Sequence, residues 1–242
     1  MIERLVLGTA QFGFDYGRNN KRGKIGADEV YEILRYAYES GITKLDTANA
    51  YGESEAVLGR YLSTNTYLQN HFEIITKSAE PGELLGSLNR LRTKSVYGYL
   101  AHDFQKYLET PAIWNYWQEC KNNGSAKKVG FSVYNFGDID YLFDNKIQFD
   151  MIQLPYSLLD YGFSLYLNEL KRLSIEIYAR SVFMQGRVFM NQPDDKIEAI
   201  MQSSLYFCLR DKRLDYVVVG IDNLDQLKQI VKAVNSMPKG DA

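Results

Sequence analysis

Eight short apolar runs, each separated from the next by helix-like sequence, constrain this chain more than any other feature. They are "RLVLGTA" (4–10), "ITKLDTA" (42–48), "FEIITK" (72–77) and "VYGYLAH" (96–102), then "KKVGFSV" (127–133), "FDMIQLP" (149–155), "IEIYARS" (175–181) and "YVVVGI" (216–221). Each is rich in Ile, Val or Tyr, the composition of strands covered on both faces. Such alternation in 242 residues means a parallel α/β sheet, either closed into a barrel or open and doubly wound. The open form usually carries a G-x-G-x-x-G turn after its first strand. Here the first run enters "LGTAQFGFDYG", whose glycines have the wrong spacing. The expected fold is a single (β/α)8 TIM barrel, one domain over residues 1–242.

The intervening segments carry helical stripes. "DEVYEILRYAYESG" aligns Val30, Ile33, Leu34, Ala37 and Tyr38, with Asp28 and Gly41 as expected caps. After Pro81, Leu84, Leu85, Leu88 and Leu91 repeat the pattern. A net charge of −2 leaves no basic footprint for nucleic acid. No stretch approaches the ~18 apolar residues of a membrane span, and "MIERLVLG" makes a poor signal peptide. Cys120 and Cys208 show no metal or redox spacing, which fits a reduced, cytoplasmic protein. His71, just before a run, reads as surface.

A barrel of this kind builds its site from the C-terminal ends of its strands. The second run ends near Asp46, the third in Lys77 and the fourth in His102, while the fifth offers Ser132 and the sixth Gln153. Tyr51 follows the second run and can lean over the same face. Taken singly, each has a bland reading: Asp46 a turn former, Lys77 a solvated lysine, His102 a loop start, Tyr51 one of 19 tyrosines. Convergence at one mouth changes that. A phenol titrates near ~10, too high for efficient acid–base work at neutral pH. An ammonium beside it favours the phenolate, and an aspartate keeps that lysine charged and oriented. A neutral histidine can position a carbonyl oxygen near the phenol. Such an assembly protonates a carbonyl oxygen while hydride reaches the carbon, and the hydride must come from a nicotinamide. A barrel aldolase using Lys77 as a Schiff-base lysine is the rival reading of the same lysine.

These residues resemble the aldo-keto reductase family across essentially the whole chain. "LDTANAYGESEAVLG" (45–59) is similar to its Asp-Thr-Ala-x-x-Tyr-Gly-x-Ser/Asn-Glu-x-x-Leu-Gly signature, "IITK" supplies its lysine and "YLAHD" its histidine. The resemblance implies a tetrad of Asp46, Tyr51, Lys77 and His102, with Tyr51 the general acid, Lys77 and Asp46 tuning it and His102 orienting the carbonyl. It also implies a nicotinamide carboxamide held by Ser132 and Gln153, though Val133 stands where the family has asparagine. Arg180 aligns with an aromatic that stacks on the nicotinamide, and Ser181 follows it. Gly220 and Gln226 occupy positions where relatives carry a lysine and an arginine for a 2′-phosphate. Asp222 adds negative charge there, and Lys228 is nearby.

The implied cofactor is NADPH by family tendency, with NADH permitted by these residues. The implied substrate is a small-molecule aldehyde or ketone, sugar-derived compounds included. The tail "NSMPKGDA" is short, so an open pocket is expected, rimmed by Phe12, Phe14, Tyr16, Tyr134 and Tyr156. The depleted phosphate clamp keeps a second reading in play, a nucleotide-binding regulatory protein with little turnover. Oligomeric state is not legible.

Overall fold

The structure, a computed structural model, describes residues 1–238, the side chain of Asp194 excepted. The last four residues of the tail expected to leave the pocket open therefore lie outside the described residues. Eight strands form a closed parallel barrel in chain order: β1 (Leu5–Gly8), β2 (Lys44–Asp46), β3 (Glu73–Ser78), β4 (Val96–Ala101), β5 (Ala126–Ser132), β6 (Met151–Pro155), β7 (Glu176–Arg180) and β8 (Tyr216–Gly220). Pairing of Leu5 with Val217 and Gly8 with Gly220 closes the ring. Six of the apolar runs contain their strands, and the other two overlap them, β3 running on to Ser78 and β5 starting at Ala126. The main helices are α1 (Ala27–Glu39), α2 (Ser54–Thr64), α3 (Leu84–Leu91), α4 (Trp114–Asn122), α5 (Phe136–Asp144), α6 (Ser164–Arg172), α7 (Asp194–Arg210) and α8 (Leu224–Asn235). None of the described helices is long and apolar enough to cross a membrane.

Details of α1 and α3 differ from the pattern reading. Gly26, not Asp28, is the N-cap of α1. Asp28 sits in the first turn, where a carboxylate complements the helix dipole. Val30, Ile33, Leu34 and Ala37 are buried, but Tyr38 is 37% exposed at the edge of the stripe. In α3, Leu85 is 67% exposed while Leu84, Leu88 and Leu91 are buried. His71 is half-buried rather than on the surface. Its Nε2 meets the Ile42 carbonyl at 2.8 Å, and its ring lies edge-on to Tyr38.

Two apolar layers hold the fold. The larger lies between strands and helices and includes Leu7, Leu45, Phe131, Ile152, Ile177 and Val219. The smaller fills the barrel interior with Val6, Ile75, Leu100, Met151, Tyr178 and Val218. Side chains alternate across a strand, so the residues two positions before and after this inner layer also face the barrel axis. Towards the N-terminal end these are polar. Lys44 pairs with Glu73 and stacks over the Tyr97 ring at 3.6 Å, and Glu176 accepts from Tyr97, Tyr178 and Lys128. Towards the C-terminal end the same alternation places Asp46, Lys77, Gln153 and Arg180 inward, two residues beyond Lys44, Ile75, Met151 and Tyr178. The site follows from strand periodicity.

Candidate active site

Asp46 and Lys77 form a nearly dry ion pair at the ends of β2 and β3. The Lys77 ammonium donates to Asp46 Oδ2 at 2.8 Å and to the Thr47 carbonyl at 2.7 Å. Lys77 is 1% exposed. Gln153 on β6 donates from Nε2 to Asp46 Oδ1. With both oxygens bonded, the carboxylate is fixed. Lys77 Nζ lies 4.9 Å from the centre of the Tyr51 ring, against its face rather than hydrogen-bonded to its hydroxyl.

The loop after β2 presents Tyr51 and is held by backbone contact. Gly52 adopts a left-handed φ of +54°, a conformation suited to glycine. A Cβ at Gly13 would come within 1.7 Å of the Tyr51 carbonyl oxygen, so only glycine allows the loop after β1 to lie this close. Residues following Tyr51 serve as anchors. Ser54 donates to the Thr9 carbonyl at 2.8 Å, and buried Glu55 accepts from Arg90 Nε at 2.7 Å. Asn49 accepts from Arg90 Nη2 at 2.7 Å. Much of the 45–59 stretch is thus scaffold for one phenol.

Burial, then the charge of Asp46, push the Tyr51 hydroxyl well above the usual phenol range, while Arg180 pulls the other way. The expectation of a phenol lowered by Lys77 is not met in this arrangement. His102, just beyond β4, packs edge-on to Tyr51 at 5.8 Å between ring centres. Burial, reinforced by the charges of Lys77 and Arg180, lowers its pKa to about 3. It is therefore a neutral imidazole across the physiological range, able to donate one hydrogen bond.

A cleft of about 280 Å³ opens from Tyr51 towards the N-terminus of α8. Asp46, Tyr51, Arg180, Ser181, Gly220, Asp222 and Gln226 line it. Lys77, Ser132 and Gln153 lie behind this lining, and His102 stands beside Tyr51. Lys77, Ser132 and Gln153 are each 1% exposed. The loops after β1 and β7 both border the cleft and are tied together: Arg18 N–H donates to the Gln185 carbonyl at 2.9 Å, and Gln185 Nε2 to the Tyr16 hydroxyl at 3.2 Å. Of the expected aromatic rim, Tyr16 and Tyr134 line the cleft, and Phe14 packs on Tyr51. Phe12 is core at 1% exposure. Tyr156 is buried and donates to Asp211 at 2.8 Å.

Arg180 makes no salt bridge among the described residues. Its guanidinium lies 3.9 Å from the Tyr134 ring centre, and donates to the Val133 carbonyl at 2.7 Å and Ser181 Oγ at 3.2 Å. At the other end, the Asp222 carboxylate accepts from Gln11 and Gln226 at 3.3 Å each. Asn223 caps α8 by accepting from Gln226 N–H at 2.8 Å. Among the described residues two buried acceptors have no donor, Gln153 Oε1 and Gln11 Oε1. A carboxamide NH₂ is the kind of donor that Gln153 Oε1, behind the cleft lining, lacks.

Comparison with known proteins identifies the family and the fold. The model of the Aldo/keto reductase family matches residues 4–202. The chain belongs to that family. An aldo-keto reductase of Mycolicibacterium smegmatis is 31% identical over 130 residues, 49% of this chain and 44% of that protein. The D-arabinose 1-dehydrogenase of Saccharomyces cerevisiae is 28% identical over 159 residues, 58% of this chain and 46% of that protein. These matches span less than half of each relative's own length. Among solved structures, a putative aldo-keto reductase of Pseudomonas aeruginosa superposes with a TM-score of 0.77 at 21% identity, over 96% of this chain and 90% of that one. A holo-form aldo-keto reductase of Bacillus halodurans gives 0.77 at 19% identity, over 97% and 87%. Both share the barrel.

In this member of the family, the other three tetrad candidates gather around Tyr51. Five of the seven cofactor candidates border one cleft, and Ser132 pairs with Gln153 across adjacent strands beneath it. Sequence reasoning missed Gln11 and Gly13. The glycine-rich "GTAQFG" following β1 was the available signal, tested only against a dinucleotide fingerprint.

Proposed function

We propose that this chain reduces an aldehyde or ketone to an alcohol using a reduced nicotinamide, with Tyr51 as proton donor. One observation carries the reading. Tyr51 lines the cleft with its hydroxyl unbonded among the described residues, between a neutral His102 and the face-on Lys77. A bound nicotinamide supplies the hydride. The residues of this chain do the rest. His102 donates to the carbonyl oxygen and orients it. Tyr51, kept protonated by burial, passes its proton to that oxygen as negative charge develops. The donation runs towards the stronger base, because an alkoxide holds a proton more tightly than a phenolate. The Lys77 ammonium stabilises the phenolate left behind, and Asp46 keeps that ammonium in place. Gln153 Oε1 would hold the carboxamide.

At the α8 end of the cleft stand Asp222 and Gln226, and none of the described lining residues at that end is cationic. Lys228 is drawn to Asp225 at 3.7 Å. A 2′-phosphate would meet a carboxylate, whereas a ribose hydroxyl could donate to it. The nucleotide proposed is therefore NADH ahead of NADPH. A Schiff-base role for Lys77 is disfavoured, because its amine is buried and committed to Asp46 and Thr47.

Fluorescence titration with each nucleotide, followed by an aldehyde and ketone panel, tests the reading. Binding with turnover supports reduction. Tight binding with no turnover across the panel would favour the regulatory alternative, and absence of binding would remove both.

A further inference from the structure

The catalytic end of the cleft has an unmatched positive charge. Asp46 is matched by Lys77 at 2.8 Å. Among the described residues lining the cleft, Arg180 is the one cation, and it has no carboxylate within ion-pair distance. Its Nε is buried without a hydrogen-bond partner. An arginine kept for structure is ordinarily paired or fully bonded when it leaves water. This one is fixed in place yet incompletely used. The Val133 carbonyl and Ser181 Oγ take two of a guanidinium's five N–H donors, and the Tyr134 ring supports its face. A planar cation held in this way is preorganised for a carboxylate, which it can receive through two parallel bonds.

We propose that Arg180 anchors a carboxylate carried by the substrate, so that the chain acts on carbonyl acids in preference to neutral aldehydes or sugars. This rests on the reductase reading above and names its substrate class. The anion belongs to the substrate for a geometric reason. A dinucleotide's diphosphate is separated from its nicotinamide by a ribose, whereas Arg180 stands at the Tyr51 end of the cleft. Its charge acts on both the Tyr51 hydroxyl and the His102 ring, the two groups between which the reacting carbonyl must lie. A carboxylate on Arg180 also leaves that end of the cleft neutral before reaction.

Calorimetric titration with benzoate and with benzamide, of like shape but different charge, separates the possibilities without relying on turnover. Wild-type protein, with and without NADH, is expected to bind benzoate at least about tenfold more tightly than benzamide. Arg180→Gln is expected to bring that ratio close to one, and Arg180→Lys, which keeps the charge without the fork, to retain part of it. NADH affinity is measured in both variants as the control that assigns the anion to substrate or to cofactor. Equal binding of the two probes by the wild type would overturn the proposal, and needs no variant to fold. So would an undiminished ratio in Arg180→Gln. A greater than tenfold loss of NADH binding in Arg180→Gln would assign the anion to the cofactor instead. Loss of aldehyde turnover with the benzoate preference intact counts against the reductase reading alone. Intact turnover without the preference counts against the anchor alone.

Discussion

Gln153 donates from Nε2 to Oδ1 of Asp46, joining β6 to β2 across the barrel mouth over 107 positions of sequence. The residue expected only to hold a nicotinamide is also a strut for the Asp46–Lys77 ion pair. Gln153→Leu would leave Asp46 Oδ1 buried and unbonded, which costs about 1–3 kcal/mol. Urea unfolding at neutral pH should show that loss, with nucleotide affinity falling as well. Unchanged stability would mean that the Gln153–Asp46 bond contributes nothing to the fold.

Tyr51→Phe should behave in the opposite way. The hydroxyl has no protein partner among the described residues, so stability should stay within about 0.5 kcal/mol of wild type. The rate of carbonyl reduction should drop by at least about 100-fold, because proton delivery is removed. Parallel thermal melts and single-turnover rates would decide. A large stability loss would show that Tyr51 is chiefly a packing residue.

Gly13→Ala tests how the phenol is placed. The added methyl would sit 1.7 Å from the Tyr51 carbonyl oxygen, and backbone must move to admit it, at a cost of about 1–3 kcal/mol. Displacement of the loop should also slow reduction while leaving the Asp46–Lys77 pair intact. A variant with wild-type stability and rate would mean that the loops separate freely.

The barrel was readable because strand composition and alternation are local properties, and they recur eight times. The placement of Asp46, Lys77 and His102 at the barrel mouth was readable for the same reason: they stand at or next to strand ends, and the period of two aims Asp46 and Lys77 inward; their grouping with Tyr51 as a tetrad came from the family resemblance. What escaped depends on long-range approach. Nothing near Gly13 announces that Tyr51 lies against it, and nothing near Gln11 announces Asp222. The direction of the Tyr51 shift was misjudged because burial of a phenol outweighs a lysine placed over its ring rather than beside its oxygen. Phe12 and Tyr156 look like rim residues from their positions after strands, yet both turn into the core.

Acid should weaken the fold through His102. Its folded pKa of about 3 lies below the ordinary histidine value near ~6.5. Above pH 7 both folded and unfolded forms are neutral, and His102 adds no pH dependence. As pH falls from about 6.5 towards 3, the unfolded chain takes up a proton that the folded chain refuses, so stability is lost across that window. By pH 5 the loss should be about 1–2 kcal/mol. Comparing urea unfolding at pH 7.5 and pH 5 for wild type and His102→Gln should show that part of the decline missing in the variant. Equal declines would place His102 in contact with water.

Nucleotide choice should turn on Asp222. Its carboxylate accepts from the amides of Gln11 and Gln226, and no lining residue at that end is cationic. A 2′-phosphate brought there adds like charge in a partly buried site, where repulsion is less screened than in water. Wild-type protein should therefore bind NADH more tightly than NADPH. Asp222→Asn keeps a side-chain acceptor for the neighbouring amides but removes the charge, and should shift the ratio of the two dissociation constants towards NADPH by about five- to tenfold. The shift should shrink in part at high salt, because a partly buried charge is still screened, though less than an exposed one. Direct titration of each nucleotide at low and high ionic strength measures both effects. A ratio that Asp222→Asn leaves unmoved would place the adenosine ribose away from Asp222, and the α8 end of the cleft would then have no part in selecting the nucleotide.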